Sequence, residues 1–194
     1  MGSSFGWVVV ILLAAIGSFA ARPAVATTPT TAPAATAPSS VLPNGSFEHV
    51  SGDLPDGWTT GQPERVKVIE ENGNHFVRVT IDKPKQTAIL SRALAVDPAW
   101  KRLTIRARLR AKDLKLGEEG WHEPRVALFF ANADGEHVGK WPDVPRLREN
   151  TAGWIDREVT VDVPDGAAKL DVQCAVFSAQ GVVDFDDVTV SVEE

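Results

Sequence analysis

Residues 103 to 111 read Leu-Thr-Ile-Arg-Ala-Arg-Leu-Arg-Ala, with every odd position apolar and every even one polar. A side-chain period of two belongs to a strand with one dry face and one wet face; a helix would scatter these residues around its axis. The pattern returns at Ile155 to Val163, where Val159, Val161 and Val163 alternate with Glu158, Thr160 and Asp162. Leu170, Val172, Cys174 and Val176 form another such set, as do Val77, Val79 and Ile81. The turn pairs Asp56-Gly57, Asn72-Gly73, Asp134-Gly135 and Asp165-Gly166 punctuate these runs. No stretch of comparable length has a helical period. Roughly ten short strands separated by turns predict an all-β chain, a two-sheet antiparallel sandwich of the jelly-roll kind. Cys174 falls on the inward parity and reads as a small core residue.

The start of the chain lies outside this pattern. Phe5 to Ala21 is an uncharged apolar run, short of the roughly 20 residues that span a bilayer. Ala24-Val25-Ala26 then supplies a small-x-small cleavage pattern. Residues 1–26 are therefore expected to be a signal peptide, with the mature chain starting near Thr27; Ser18-Phe19-Ala20 is a second possible cleavage site. No Lys or Arg precedes the run, so an uncleaved N-terminal anchor is the alternative. Thr27 to Ser40 contains only Thr, Ala, Pro and Ser, a composition that stays extended and solvated. The expected organisation is a linker over 27–41 and one folded domain over 42–194. That domain is expected to be secreted or held in the cell envelope, with no membrane segment of its own.

Charge and motif content narrow the function classes. Lys and Arg number 20 against 26 Asp and Glu, a net charge of −6, and no basic cluster offers a face for nucleic-acid phosphates. A single cysteine excludes an internal disulfide and a Cys-rich zinc site. His49, His75, His122 and His137 are scattered, with no H-E-x-x-H spacing, and there is no G-x-S-x-G turn. No pair of acids stands in a recognisable hydrolase spacing. The chain therefore reads as noncatalytic, with a small polysaccharide hydrolase or lyase as the weaker alternative.

Three motifs mark the domain's course. Asn44-Gly45-Ser46-Phe47-Glu48 followed by Gly57-Trp58 opens it, Gly73-Asn74-His75-Phe76-Val77-Arg78-Val79 comes next, and Val183-Asp184-Phe185-Asp186-Asp187-Val188 closes it. In this order they resemble the galactose-binding-like jelly-roll modules that bind carbohydrate beside secreted cellulases and xylanases. The resemblance spans the whole domain and implies a polysaccharide or glycan partner. The alternative is a structural or protein-interaction domain of the same fold.

A hard cation such as calcium takes several oxygen ligands, commonly carboxylates mixed with carbonyls. By resemblance to the family's structural calcium site, Glu48, Glu71 and Asp186 would supply side-chain oxygens, and Ser46 and Asn74 carbonyls. Asp187 is the alternative to Asp186, because one residue of register decides which carboxylate turns inward. The plain reading is that these acids are solvated edge residues. Asn44-Gly45-Ser46 also matches a glycosylation acceptor, one hard to modify at a strand start.

Tryptophan carries the case for a sugar. The apolar C–H faces of a sugar stack on indole rings, while its hydroxyls need polar partners at the rim. Trp58, Trp100 and Trp154 stand at or near strand starts, where an aromatic would plug the sandwich. Trp121, in Gly117-Glu118-Glu119-Gly120-Trp121-His122-Glu123-Pro124, and Trp141, in Gly139-Lys140-Trp141-Pro142-Asp143, lie in polar loops and are the platform candidates. His122, Glu123 and Arg125 lie near enough to Trp121 to supply hydrogen bonds. Arg106, Arg108 and Arg110 share one strand face; they suit either an acidic sugar or pairing with Asp156, Glu158 and Asp162 on another strand, and the pairing is the expectation.

Overall fold

The structure, a computed structural model, describes residues 39–193. The expected signal peptide and the tether up to residue 38 lie outside the described residues. Eleven strands and no helix make up the described chain: β1 (Val50–Ser51), β2 (Leu54–Pro55), β3 (Thr59–Thr60), β4 (Val66–Glu71), β5 (Asn74–Ile81), β6 (Ala88–Ala95), β7 (Arg102–Lys115), β8 (Pro124–Ala131), β9 (Ile155–Asp162), β10 (Lys169–Val176) and β11 (Gln180–Glu193). Nine of them form two antiparallel sheets, ordered β3-β6-β10-β8 and β4-β5-β11-β7-β9. This is the all-β jelly-roll sandwich that the alternation predicts.

The core follows strand parity. Leu103, Ile105, Ala107, Leu109 and Ala111 of β7 are buried, as are Leu170, Val172, Cys174 and Val176 of β10 and Val77, Val79 and Ile81 of β5. Each fully buried Leu, Val or Ile contributes about 1.5–3 kcal/mol, so a one-residue slip of any strand would turn its dry face to water. Burial pushes the Cys174 thiol well above its ordinary range, which leaves it an inert core group. Asn72 and Gly73 both have positive φ, 56° and 79°, the geometry of a two-residue hairpin between β4 and β5.

The opening motif is a structural knot. The Asn44 amide donates to the His49 and Asp56 carbonyls (2.8 and 3.3 Å), and its side-chain oxygen accepts from His49 N (3.1 Å). Trp58 Nε1 donates to the Asn44 carbonyl at 2.9 Å, and its ring meets Phe47 edge-on in the core. Val188 N donates to the Gly45 carbonyl at 2.8 Å, tying this corner to the closing motif. A Cβ on Gly45 would lie 1.8 Å from the Val188 carbonyl oxygen, so only glycine fits there. With its side chain bonded inward, Asn44 is poorly placed for glycosylation.

Two details differ from expectation. The folded body begins before residue 42: Val41 N donates to the Val190 carbonyl (2.7 Å), and Val190 N donates to Ser40 Oγ (3.1 Å), so two residues assigned to the linker pair with β11. Trp58 is buried and Trp100 packs half-buried on the core, but Trp154 does not plug the sandwich. It lies against Phe76, edge-on at 5.2 Å, with the Arg108 and Arg110 guanidiniums 5.2 and 4.5 Å from its ring centroid. Phe76 occupies the outward parity of β5, and Trp154 and the arginines are its cover.

Candidate functional site

The corner proposed for a metal brings some of its residues together. Glu48 accepts from His75 N at 3.1 Å and lies 3.0 Å from His75 Nδ1. Next along β5, the Asn74 amide donates to Asp186 at 3.0 Å and to the His75 carbonyl at 3.3 Å. The β11 bulge between Asp186 and Thr189 puts Asp187 at φ 46° and lets both carboxylates face Arg108, at 3.6 Å (Asp186) and 3.0 Å (Asp187). Glu71 turns instead to Arg110 at 3.1 Å. Burial raises the Asp186 carboxyl above the usual range, with the Asp187 charge adding to it, against hydrogen bonds from Asn74 and the Asp187 amide and the attraction of Arg108.

Every carboxylate of this set therefore has a protein cation or amide as partner. Among the described residues no three His, Cys, Asp or Glu side chains are grouped to hold a metal ion. The Asn74 side-chain amide bridges Asp186 and the His75 carbonyl, so it turns a nitrogen to Asp186, whereas a hard cation takes oxygen ligands. As arranged, the donor set does not fit calcium.

The arginine row of β7 is paired throughout. Arg106 bonds Glu158 of β9, as expected. Arg108 and Arg110 reach the other way, to β11, because β7 lies between β9 and β11. Arg110 bonds Asp184 at 2.8 Å, and Arg78 of β5 grips the same carboxylate with two bonds, 2.7 and 2.9 Å. The hydrogen bonds they donate to Asp184 and Asp187 hold Arg78 and Arg108 more firmly protonated than an ordinary guanidinium. This face has no arginine of the row left over for a ligand.

The outer face of the four-stranded sheet is built differently. Register sets Ser91, Gln173 and Ala127 in one row and Ala93, Asp171 and Phe129 in the next. Alanine and serine leave a shallow floor, and larger groups rise beside it. Trp121 and Trp141, 54% and 70% exposed, are the two most exposed large apolar residues described. They line one cavity of about 530 Å³ together with Phe129, Phe177, Gln173 and Arg125, a volume in the range of small-molecule sites. Trp141 stacks on His137 with ring centroids 4.2 Å apart and an angle of 19°, and Trp121 stands edge-on to His122 and Phe177. On the floor, Gln173 donates to Asp171 at 2.7 Å, and burial raises the Asp171 carboxyl above its usual range.

Of the residues expected beside Trp121, Arg125 lines the cavity and His122 packs on the indole. Glu123 does neither. At 1% exposure it lies beneath the surface, 2.9 Å from Arg125, 2.8 Å from Arg148 and 3.5 Å from Arg146. Arg125 donates to the Trp121 carbonyl (2.8 Å) and Arg148 to that of Gly120 (2.9 Å), so Glu123 anchors the arginines that hold the Trp121 loop. Glu123 is a support under the platform, the one acid that Arg125, Arg146 and Arg148 close over.

Phe129, Phe177, His137, Gln173 and Asp171 went unnoticed in the sequence. The usable signal was Phe129, an aromatic at the wet parity of β8 between Ala127 and Ala131.

No family model matches the chain, and neither does any curated protein. Solved structures do. A family CBM4 module superposes with a TM-score of 0.53 at 18% identity, over 77% of this chain and 98% of that one. A CBM61 module solved with β-1,4-galactotriose gives 0.50 at 16%, over 80% and 99%. The fold is that of the carbohydrate-binding modules. The enzymatically active domain of tailspike protein 4 from bacteriophage CBA120 also matches, with a TM-score of 0.56 at 13% identity over 79% of this chain. The chain spans about a fifth of that tailspike's length, 21%. At these identities the module likeness concerns fold.

Proposed function

We propose that the protein is a noncatalytic carbohydrate-binding module that holds a glycan over the four-stranded sheet. The observation that carries this reading is the cavity itself: two exposed indoles and two phenyl rings over a floor of small residues, with Gln173 in its lining and Asp171 bonded to Gln173 beside it. Indole faces exposed to water at this extent cost free energy unless a partner covers them. The CBM61 neighbour, solved with a galactotriose, shows that this fold accommodates an oligosaccharide.

The noncatalytic part rests on the carboxylates of this face. Hydrolysis needs two carboxylates flanking one bond; of the acids on this face, Glu123 is committed to three arginines beneath the surface, and Asp171 accepts a hydrogen bond from Gln173. A secreted or envelope location follows from the expected signal peptide. At the Glu48–Asp186 corner, the proposal is that Asn74, His75 and Arg108 do the work of an ion.

Affinity electrophoresis against a panel of soluble polysaccharides tests the reading. Retention by at least one is expected, and Trp121→Ala and Trp141→Ala should each weaken it at least about tenfold with a near-unchanged melting temperature. Retention by none assigns the fold to a structural or protein-interaction role. New reducing ends or unsaturated products would make it an enzyme.

A further inference from the structure

The Trp121 end of the cleft carries more positive charge than the protein neutralises. Glu123-Pro124-Arg125 and Arg146-Leu147-Arg148 are short alternations, and Arg125 and Arg146 face each other across an antiparallel bridge. Val126 N donates to the Pro145 carbonyl and Leu147 N to that of Pro124, so residues 145–147 extend the sheet beyond β8. Residues opposite one another share a face. Arg125, which lines the cleft, thus shares one face of this edge with Arg146 and Arg148, and Glu123 lies beneath them.

Three guanidiniums meet one buried carboxylate here, and Asp143, paired with Arg146, is the second acid of the group. One positive charge is left over. Arg125 shows the consequence. Burial, then repulsion from Arg146 and Arg148, make its charged form less favourable than an ordinary arginine's, despite the attraction of Glu123. Its Nε is buried and finds no acceptor among the described residues. Arg78 and Arg108, hydrogen-bonded to Asp184 and Asp187, are shifted the opposite way. A guanidinium that lines a cavity, and whose group holds more positive charge than its acids balance, attracts a carboxylate or sulfate.

We infer that the glycan is acidic, and that its carboxylate or sulfate group lies against Arg125 and Arg146 at the Trp121 end of the cleft. This rests on the carbohydrate reading. Asp171, four residues along β10 from the Ala175 that faces Arg125, is an acid at the other end and fixes the polarity: neutral hydroxyls over Asp171 and Gln173, the anion over Arg125. The net charge of −6 repels polyanions in general, so capture of one would report this local surplus.

The test is titration calorimetry of the full chain with polygalacturonate, its carboxyl-reduced counterpart, a sulfated galactan and the same galactan desulfated. An acidic polymer should bind at least about tenfold more tightly than its neutral counterpart, the factor carried by one charge-assisted hydrogen bond. Preference for the uronate or for the sulfate identifies the anion. The preference should fade from about 0.01 to 1 M salt as the screening length falls from roughly 30 to 3 Å. Arg146→Gln, which touches no carbonyl of the Trp121 loop, should reduce it, and Arg125→Gln should reduce it further. Equal binding of acidic and neutral partners overturns the inference and leaves the carbohydrate reading standing. A preference that survives both substitutions overturns the assignment to these arginines. No binding of any polymer overturns both.

Discussion

Both sheets present arginines on their outer faces, and the two sets differ in what neutralises them. On the five-stranded sheet, Arg78, Arg106, Arg108 and Arg110 each meet a carboxylate on a neighbouring strand, and all but Arg106 lie over Phe76 or Trp154. On the four-stranded sheet, Arg125, Arg146 and Arg148 crowd one buried glutamate beside rings left open to solvent. Paired charges covering aromatic rings make a closed, structural surface. Unequal charges beside bare rings make one that gains from a ligand. Residue types alone do not separate the two faces; strand neighbours do.

Substitutions break this comparison with graded effects. The largest concerns Asp184, a buried carboxylate holding Arg78 and Arg110. Asp184→Ala leaves both guanidiniums without their acid and should cost about 3 kcal/mol. A melt should fall by roughly 6–12 °C for a domain of this size, with glycan affinity unchanged because the cleft is on the other sheet. If affinity falls as steeply as stability, the two faces are not independent.

Glu123→Gln comes next. Its arginines are partly solvated and Asp143 shares one of them, so the expected loss is about 2 kcal/mol. Glycan affinity should fall with it, since Arg125 and Arg148 then hold the Gly120 and Trp121 carbonyls less firmly. Calorimetry and a melt on the same sample read both, and a change in stability alone would separate Glu123 from the platform.

Asp186→Asn should show a smaller, pH-dependent effect. The folded Asp186 carboxyl titrates above its unfolded value, chiefly through burial. Between those two values the native state binds more protons than the unfolded one, so the stability that this group contributes falls as pH rises through its folded pKa. The variant lacks that loss. Its melting temperature relative to wild type should therefore rise from pH 3 towards neutrality, and melts across that range decide it; a flat difference would show that Arg108 and Asn74 already offset the burial. The smallest effect belongs to calcium. Melts with calcium and with chelator should coincide, because Asn74, His75 and Arg108 occupy the acids of that corner. A rise with calcium would show that an ion displaces them.

The sandwich was legible because period-two alternation is local: Leu103 to Ala111 declares its dry face without reference to any other strand. Trp121 and Trp141 were legible for the same reason, as apolar residues stranded in polar loops. Pairings across strands were not. Asp156 and Asp162 matched the arginine row by parity, yet Arg108 and Arg110 turn to β11, since strand order in the sheet is a property of the whole topology. Glu123 beside Trp121 suggested a sugar contact; only the approach of residues 145–148 to β8 shows why it is buried. The acids of the corner suggested a metal only through the family resemblance, and their partners Asn74, His75 and Arg108 come from other strands.

A structure of the protein with a bound oligosaccharide tests the central claim most directly. The account predicts sugar rings against Trp121 and Trp141, over Gln173, with the five-stranded face bare. Sugar bound over Arg106 and Arg108, or at the loops that close the sandwich, would contradict it.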